Sequence, residues 1–285
     1  MGNVIGPNAI AGLTIIIPVI ILIISVGLLT GVGAASIISR SLGRGDKKSA
    51  QIAGADSIVL NFGLNIIIMV ILYVFTDQIL KFLGASSEVL PYAKDYLSIM
   101  LFGFIFFSFS INGNNLIRAE GRPRAAMYAM LIGAILNIML DAFFIFVLKM
   151  GVQGVAIATV ISQIASCTYI IIYFRSSSSI FHLKPGMFKI NKSISREILG
   201  IGVPSFLMEA IWSVLFLLFI RVVRQYGGDI YIAITGIGIR ILDMIFMPML
   251  GINQGFSPIA GFNYGAKKYL RVKIVLKEAF IWISG

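Results

Sequence analysis

Seven runs of apolar residues, each long enough to cross a lipid bilayer as a helix, leave this chain few ways to fold. They are Leu13 to Ile38, Ile58 to Phe75, Leu97 to Leu116, Ala125 to Leu148, Val152 to Phe174, Ile198 to Ile220 and Ile232 to Ile259. Roughly 20 consecutive apolar residues cover the hydrocarbon thickness at helical rise. Hydrophobic residues make up 58% of the 285 and charged ones 12%, against about 25% charged in a soluble domain. Mean hydropathy is +0.96. A chain with so little polar surface reads as an all-α integral membrane protein, a multi-span helical bundle. The glycines, serines and prolines inside the runs are tolerated where neighbouring helices satisfy the freed backbone groups.

The formal net charge of +11 would suit a nucleic-acid partner if the basic residues were clustered without regard to the spans. They instead alternate with them. Seventeen of the 23 Lys and Arg fall in four connections, Arg40 to Lys48, Arg118 to Arg124, Arg175 to Arg196 and Lys267 to Lys277. The intervening connections hold five, Lys81, Lys94, Lys149, Arg221 and Arg224, and Arg240 sits within a span. This asymmetry marks the first set as cytoplasmic and argues against nucleic-acid binding.

Met1-Gly-Asn-Val lacks the basic region and cleavage site of a signal peptide. With the Arg40 to Lys48 connection inside, the first span enters from outside, which leads us to expect a helix before it. Likewise Ala279 to Gly285 reads as the start of an eighth span. Cys167 is the lone cysteine and lies within a span, so it builds neither a disulfide framework nor a Cys-based metal site. His182 is the lone histidine and lies in a connection. Histidine clusters, His-Cys zinc sites and Ser-His dyads within the membrane are thereby excluded, and nothing resembles a catalytic constellation.

Laid against itself at an offset of 220, the chain pairs Ile17 with Ile237, Leu22 with Leu242, Gly31 with Gly251, Gly45 with Gly265, Lys47 with Lys267 and Lys48 with Lys268. Coincidences of isoleucine are cheap in this composition. A Gly-x-Lys-Lys emerging at one distance after both spans is less so. Five spans separate the related pair, so the repeating unit holds six helices, and an even number returns the second copy in parallel orientation. Two units make twelve. The expected division is residues 1–175 for the first bundle without its first helix, 176–195 for a cytoplasmic linker carrying Ser176 to Ser179, Pro185 and Gly186, and 196–285 for the start of the second bundle.

Ionisable groups within spans are costly and are candidates for function. Asp141 stands in an otherwise apolar stretch with Asn137 one turn earlier on the same face. A carboxylate beside an amide can hold a proton or a small cation. The next span carries Thr159 and Gln163, again four apart. Glu209, after Gly202-Val-Pro204, is a second candidate. Arg240 and Asp243, three apart, read as a structural pair that neutralises itself. Arg118-Ala-Glu-Gly-Arg-Pro123 reads as a tight turn with an ion-pair clasp around Glu120, Gly121 ending one helix and Pro123 opening the next.

Leu116-Ile-Arg-Ala-Glu-Gly-Arg-Pro123, the Asn137 and Asp141 pair, Gly154-Val-Ala-Ile-Ala-Thr159, and Pro258-Ile-Ala-Gly-Phe-Asn-Tyr-Gly265 with its following lysine pair together resemble the multidrug and toxic compound extrusion (MATE) family. The likeness runs over essentially the whole chain. It implies a bacterial inner-membrane, multi-pass protein of twelve helices in two six-helix lobes, of which this chain runs from the second helix to the start of the ninth. It also implies secondary active antiport, in which small cationic amphiphilic drugs are exchanged for H+ or Na+ by alternating access, with no cofactor and with the lipid bilayer as the protein's surroundings, most simply as a monomer. On this resemblance Asn137, Asp141 and Thr159 match the N-lobe cation site and Glu209 an acidic position of the C-lobe, so that Na+ could bind at Asp141 or Glu209. The family's acidic residues on its first and tenth helices have no counterpart here. Two other readings are a flippase of lipid-linked precursors from the same superfamily, for which more basic residues within the spans than Arg240 are expected, and a non-transporting membrane scaffold, which leaves Asp141 unexplained.

Overall fold

A computed structural model of the chain describes residues 7–181 and 190–284, and every regular element among them is helical. In chain order these are α1 (Pro7–Ile15), α2 (Ile17–Gly43), α3 (Lys47–Val74), α4 (Thr76–Phe82), α5 (Leu90–Ala119), α6 (Pro123–Ala142), a π-helical turn (Phe143–Val147), α7 (Gly151–Arg175), α8 (Lys192–Gly265) and α9 (Tyr269–Ser284). Six helical stretches among the described residues are long and apolar enough to cross a membrane: Asn8–Gly43, Lys47–Val74, Leu90–Ala119, Pro123–Val147, Gly151–Arg175 and Lys192–Gly228. These cover the first six expected runs, the second and fourth of them short of Phe75 and Leu148 by one residue. The first is α1 and α2 end to end, interrupted at Ile16 because Pro18 has no N–H to continue the ladder.

The seventh run forms the second part of α8. A loop was expected around Gly227, between the basic-poor ends of two spans. The structure replaces it with a single break at Gly228 (φ 68°, ψ −166°). Only glycine adopts that backbone conformation readily, having no Cβ to clash, so one residue reorients the chain without a connecting segment. The start of α8 also departs from expectation, lying at Lys192 and so inside the 176–195 linker. Asn191 caps it, its side-chain oxygen accepting from the N–H groups of Ser193 (3.1 Å) and Ile194 (3.2 Å). Such a cap satisfies N–H groups that the first helical turn leaves unpaired.

Side-chain bonds gather alternate connections at opposite ends of the bundle. At one end Arg40 pairs with Glu197 (3.0 Å), Gln51 donates to the carbonyl of Ile180 (2.7 Å), and buried Asp56 accepts from Ser195 Oγ (2.8 Å) and Asn191 N–H. At the other, Lys94 pairs with Asp77 (2.9 Å), Gln153 donates to Asp95 (3.2 Å), and Arg221 and Arg224 donate to the carbonyls of Phe82 and Gly84. This is the partition read from the basic residues, by which the first end is the one expected in the cytoplasm.

The core of the bundle is α2, wrapped by α3, α5 and α8. Along α8 the contact is backbone against backbone. The face of Gly202 meets the main chain of Leu29, and the face of Gly33 meets that of Ile198. At the cytoplasmic ends the approach is reciprocal: Gly43 of α2 lies against Phe262, and Gly265 of α8 lies against Arg40. These are the two segments that the 220-residue offset relates. Without a hydrophobic drive between helices in lipid, such close packing of small residues is what holds them.

The turn after α5 corrects the ion-pair clasp. Gly121 has φ +80° and Pro123 opens α6, as expected. The carboxylate of Glu120, however, accepts from Tyr173 Oη (2.7 Å), Ser179 Oγ (2.7 Å) and Ile180 N–H (3.3 Å), tying α5 to the end of α7. Neither Arg118 nor Arg122 bonds to it; Arg118 donates to Met130 Sδ (3.1 Å). Burial raises the Glu120 carboxyl above the usual carboxylate range, an effect partly offset by these hydrogen bonds and by Arg122. The native state therefore holds its proton to higher pH than the unfolded chain, so the Glu120 contribution to stability is greatest in acid and falls as pH rises towards the raised value. Thermal unfolding of the purified chain across this range should show that acid-side stabilisation, and Glu120→Gln should flatten it.

Candidate functional site

The residues singled out around Asp141 lie on α6 and α7, two helices that pack side by side. Asn137 and Thr159 are brought together: Asn137 Nδ2 is 3.4 Å from Thr159 Oγ1. The Thr159 hydroxyl gives its proton to the carbonyl of Val155 (2.9 Å), so it receives from the amide and leaves the Asn137 side-chain oxygen as an acceptor. Asp141 stands one turn beyond Asn137, in the last turn of α6 before the π-helical residues. It is half-buried, with its Oδ1 closed to solvent. π-helical turns of this kind recur at functional sites because the extra residue re-aims the side chains next to it. Gln163 lies one turn along α7 from Thr159 and makes no hydrogen bond among the described residues.

Glu209 lies within α8, half-buried, and no hydrogen bond or ion pair joins it to Asp141, Asn137 or Thr159 among the described residues. It is a separate position. The side chains of Arg240 and Asp243, and the whole of His182, Lys184 and Lys189, lie outside the described residues. Among the described residues no three His, Cys, Asp or Glu side chains group as a metal site would need.

The family model MatE matches residues 1–143 and 204–285. This chain belongs to the MATE family. Multidrug export protein MepA of Staphylococcus aureus (strain NCTC 8325 / PS 47) is 32% identical over 277 residues, 97% of this chain and 61% of the relative, and MepA of Staphylococcus haemolyticus gives the same figures. Among solved structures, that of the MATE multidrug transporter DinF-BH in complex with R6G superposes with a TM-score of 0.93 at 34% identity, over 99% of this chain and 63% of that one. An outward-facing MATE transporter of the MOP superfamily gives 0.84 at 28%, over 98% and 61%. The chain thus spans about three fifths of the length of the relatives it matches. Membership fixes the class: a multi-pass helical protein of a bacterial cell membrane. Asn137, Asp141 and Glu209 fall inside the MatE match; Thr159 falls outside it.

One polar constellation of this MATE chain escaped the sequence reading. Thr30 of α2, Ser57, Asn61 and Asn65 of α3, and Ser108 and Asn112 of α5 are all wholly inaccessible and hydrogen-bonded to one another across the three helices. None is ionisable, so a search for charge within spans passes over them. The available signal was the four-residue spacing of Asn61 with Asn65 and of Ser108 with Asn112, which puts each pair on one helix face.

Proposed function

We propose that this chain is the larger part of a secondary active multidrug exporter that exchanges cationic amphiphilic compounds for H+ or Na+ by alternating access. The observation that carries the reading is the meeting of Asn137 with Thr159 one turn from Asp141, in a chain 32% identical to MepA over 97% of its length. A carboxylate supported by an amide and a hydroxyl offers a proton, a sodium ion and a positively charged drug one place to compete for. Exchange follows if each occupant favours a different conformation, since a ligand shifts an equilibrium only by its differential affinity for the two states. Glu209 serves the same purpose in the second lobe. In this reading residues 1–175 belong to the first lobe, the connection from Ser176 to Asn191 is the linker, α8 opens the second lobe at Lys192, and the working unit is a monomer in the bilayer.

The test compares the 285-residue chain with a protein completed by one preceding helix and the remaining C-terminal helices, at equal membrane levels. Cells carrying the completed protein should accumulate less of a fluorescent lipophilic cation, and the advantage should vanish when the proton and sodium gradients are collapsed. Accumulation equal to that of cells with an empty vector would overturn the exporter reading. Extrusion unaffected by either gradient would overturn the antiport.

A further inference from the structure

The turn from α5 to α6 and the last turns of α7 border a cavity of about 530 Å³ that the exporter reading does not use. Small-ligand sites span about 300–1,000 Å³. Arg122, Arg124 and Tyr128 line it where α6 begins, and Tyr169, Tyr173 and Ser178 where α7 ends. No acidic side chain lines it among the described residues. Its walls are fixed from behind: Tyr173 Oη is held by Glu120 (2.7 Å), and Ser166 Oγ ties α7 to the carbonyl of Ala129 on α6 (2.9 Å).

The polar groups of this cavity are uncommitted. Arg118, in the same turn, donates to Met130 Sδ. The guanidinium groups of Arg122 and Arg124 and the hydroxyls of Tyr128 and Tyr169 make no hydrogen bond or ion pair among the described residues. Arg122 acts on Glu120 through its charge alone, because the Glu120 oxygens are already taken by Tyr173, Ser179 and Ile180. Towards the middle of the span the surface changes character. Leu131 and Ile132, one turn beyond Tyr128, and Ile135, one turn further, are large and exposed and continue the Tyr128 face of α6. Two free arginines, then two tyrosines, then bare aliphatic surface succeed one another along one strip. An anionic headgroup, the ester level and an acyl chain follow in the same order in a phospholipid.

We propose that this cavity, between the start of α6 and the end of α7, holds the headgroup of an anionic phospholipid from the leaflet at that end. The guanidinium forks donate to the phosphate oxygens, whose geometry they match. Tyr128 and Tyr169 sit at headgroup depth, where amphipathic rings are at home, and an acyl chain covers Leu131, Ile132 and Ile135. Basic pockets between helices on the cytoplasmic side are suited to such headgroups. The same arginines repel a cationic drug, so the cavity is not the cargo site. Asp141 lies at the other end of α6, about 25 Å away at 1.5 Å per residue. The inference rests on the orientation given by the basic residues and stands whether or not Asp141 couples transport.

Binding of tritiated phosphatidylglycerol to the purified 285-residue chain in nonionic detergent, read by scintillation proximity, tests it. Saturable binding of about one lipid per chain is expected, weakened at least about tenfold by Arg122→Gln combined with Arg124→Gln, since each basic residue contributes separately. Lys47→Gln combined with Lys48→Gln removes the same charge from another connection and should leave the affinity unchanged. Unlabelled phosphatidylglycerol should displace the label; phosphatidylcholine of the same acyl chains, and inorganic phosphate at matched ionic strength, should not. Displacement by phosphatidylcholine as effective as by phosphatidylglycerol would reduce the site to unselective apolar contact. Displacement by phosphate would give the cavity to a free anion, and an equal loss in the lysine pair would leave only diffuse charge. Any of these three results overturns the proposal. The competition arms use the unaltered chain, so they decide even if the arginine pair fails to fold, and none of them depends on drug export.

Discussion

In the completed protein, Asp141→Asn is expected to abolish gradient-driven drug export while leaving the protein folded in the membrane. The substitution keeps the volume and one side-chain oxygen but removes the capacity to change charge, and it is that capacity on which the competition between cation and drug depends. Asn137 and Thr159 cannot substitute for it, because neither titrates. Their bond to each other should survive the change, so Asn137→Ala, which deletes only a neutral contact, should weaken export several-fold without eliminating it. Losing one neutral hydrogen bond costs about 1 kcal/mol, about a fivefold effect. The measurement is extrusion of a fluorescent lipophilic cation from proteoliposomes under an imposed pH or sodium gradient, with protein levels matched. Parental rates and parental gradient dependence in Asp141→Asn would make Asp141 a structural residue and remove the central group of the mechanism.

What the sequence disclosed follows from the physics of its solvent. Apolar runs register strongly because lipid forbids unpaired backbone, so the spans and their two-sided arrangement could be read directly, down to the basic ends tied by Arg40 and Glu197. Local turn chemistry was equally legible at Gly121 and Pro123. Pairing was not. Glu120 between two arginines looks like an ion pair in one dimension, yet its partners Tyr173 and Ser179 lie more than fifty residues away. The break at Gly228 was hidden because one glycine among many carries no pattern. The Asn61, Asn65 and Asn112 cluster was missed because only the packing of three helices shows that neutral amides from separate segments share two hydroxyls. Around Asp141 the four-residue spacing put Asn137 one turn away on what is α6, and the contact of Asn137 with Thr159 needed α6 and α7 side by side.

The other large effect lies where α8 crosses α2. Gly202→Ala and Gly200→Ala are the same chemical change two residues apart on one helix, and the structure assigns them opposite outcomes. A Cβ on Gly200 meets nothing within 4 Å, so alanine there should be neutral or stabilising by up to about 1 kcal/mol through helix propensity. A Cβ on Gly202 runs into the carbonyl group of Leu29. That obstacle is main chain and cannot rotate away, so α8 must lift from α2. Overpacking costs typically about 1–3 kcal/mol, and here the upper figure applies, because separation also loosens the adjoining contact of Gly33 with Ile198 and strains the Ser213 bond to the carbonyl of Pro18 (3.1 Å). In lipid nothing replaces that packing, since the hydrocarbon is as apolar as the helix face it would cover. Thermal unfolding of the two purified variants in the same detergent should therefore show Gly202→Ala well below the parent and Gly200→Ala at or above it. Equal melting temperatures for the pair would mean that the two helices do not meet at Gly202 and Leu29, and the packing of α8 on α2 would have to be redrawn.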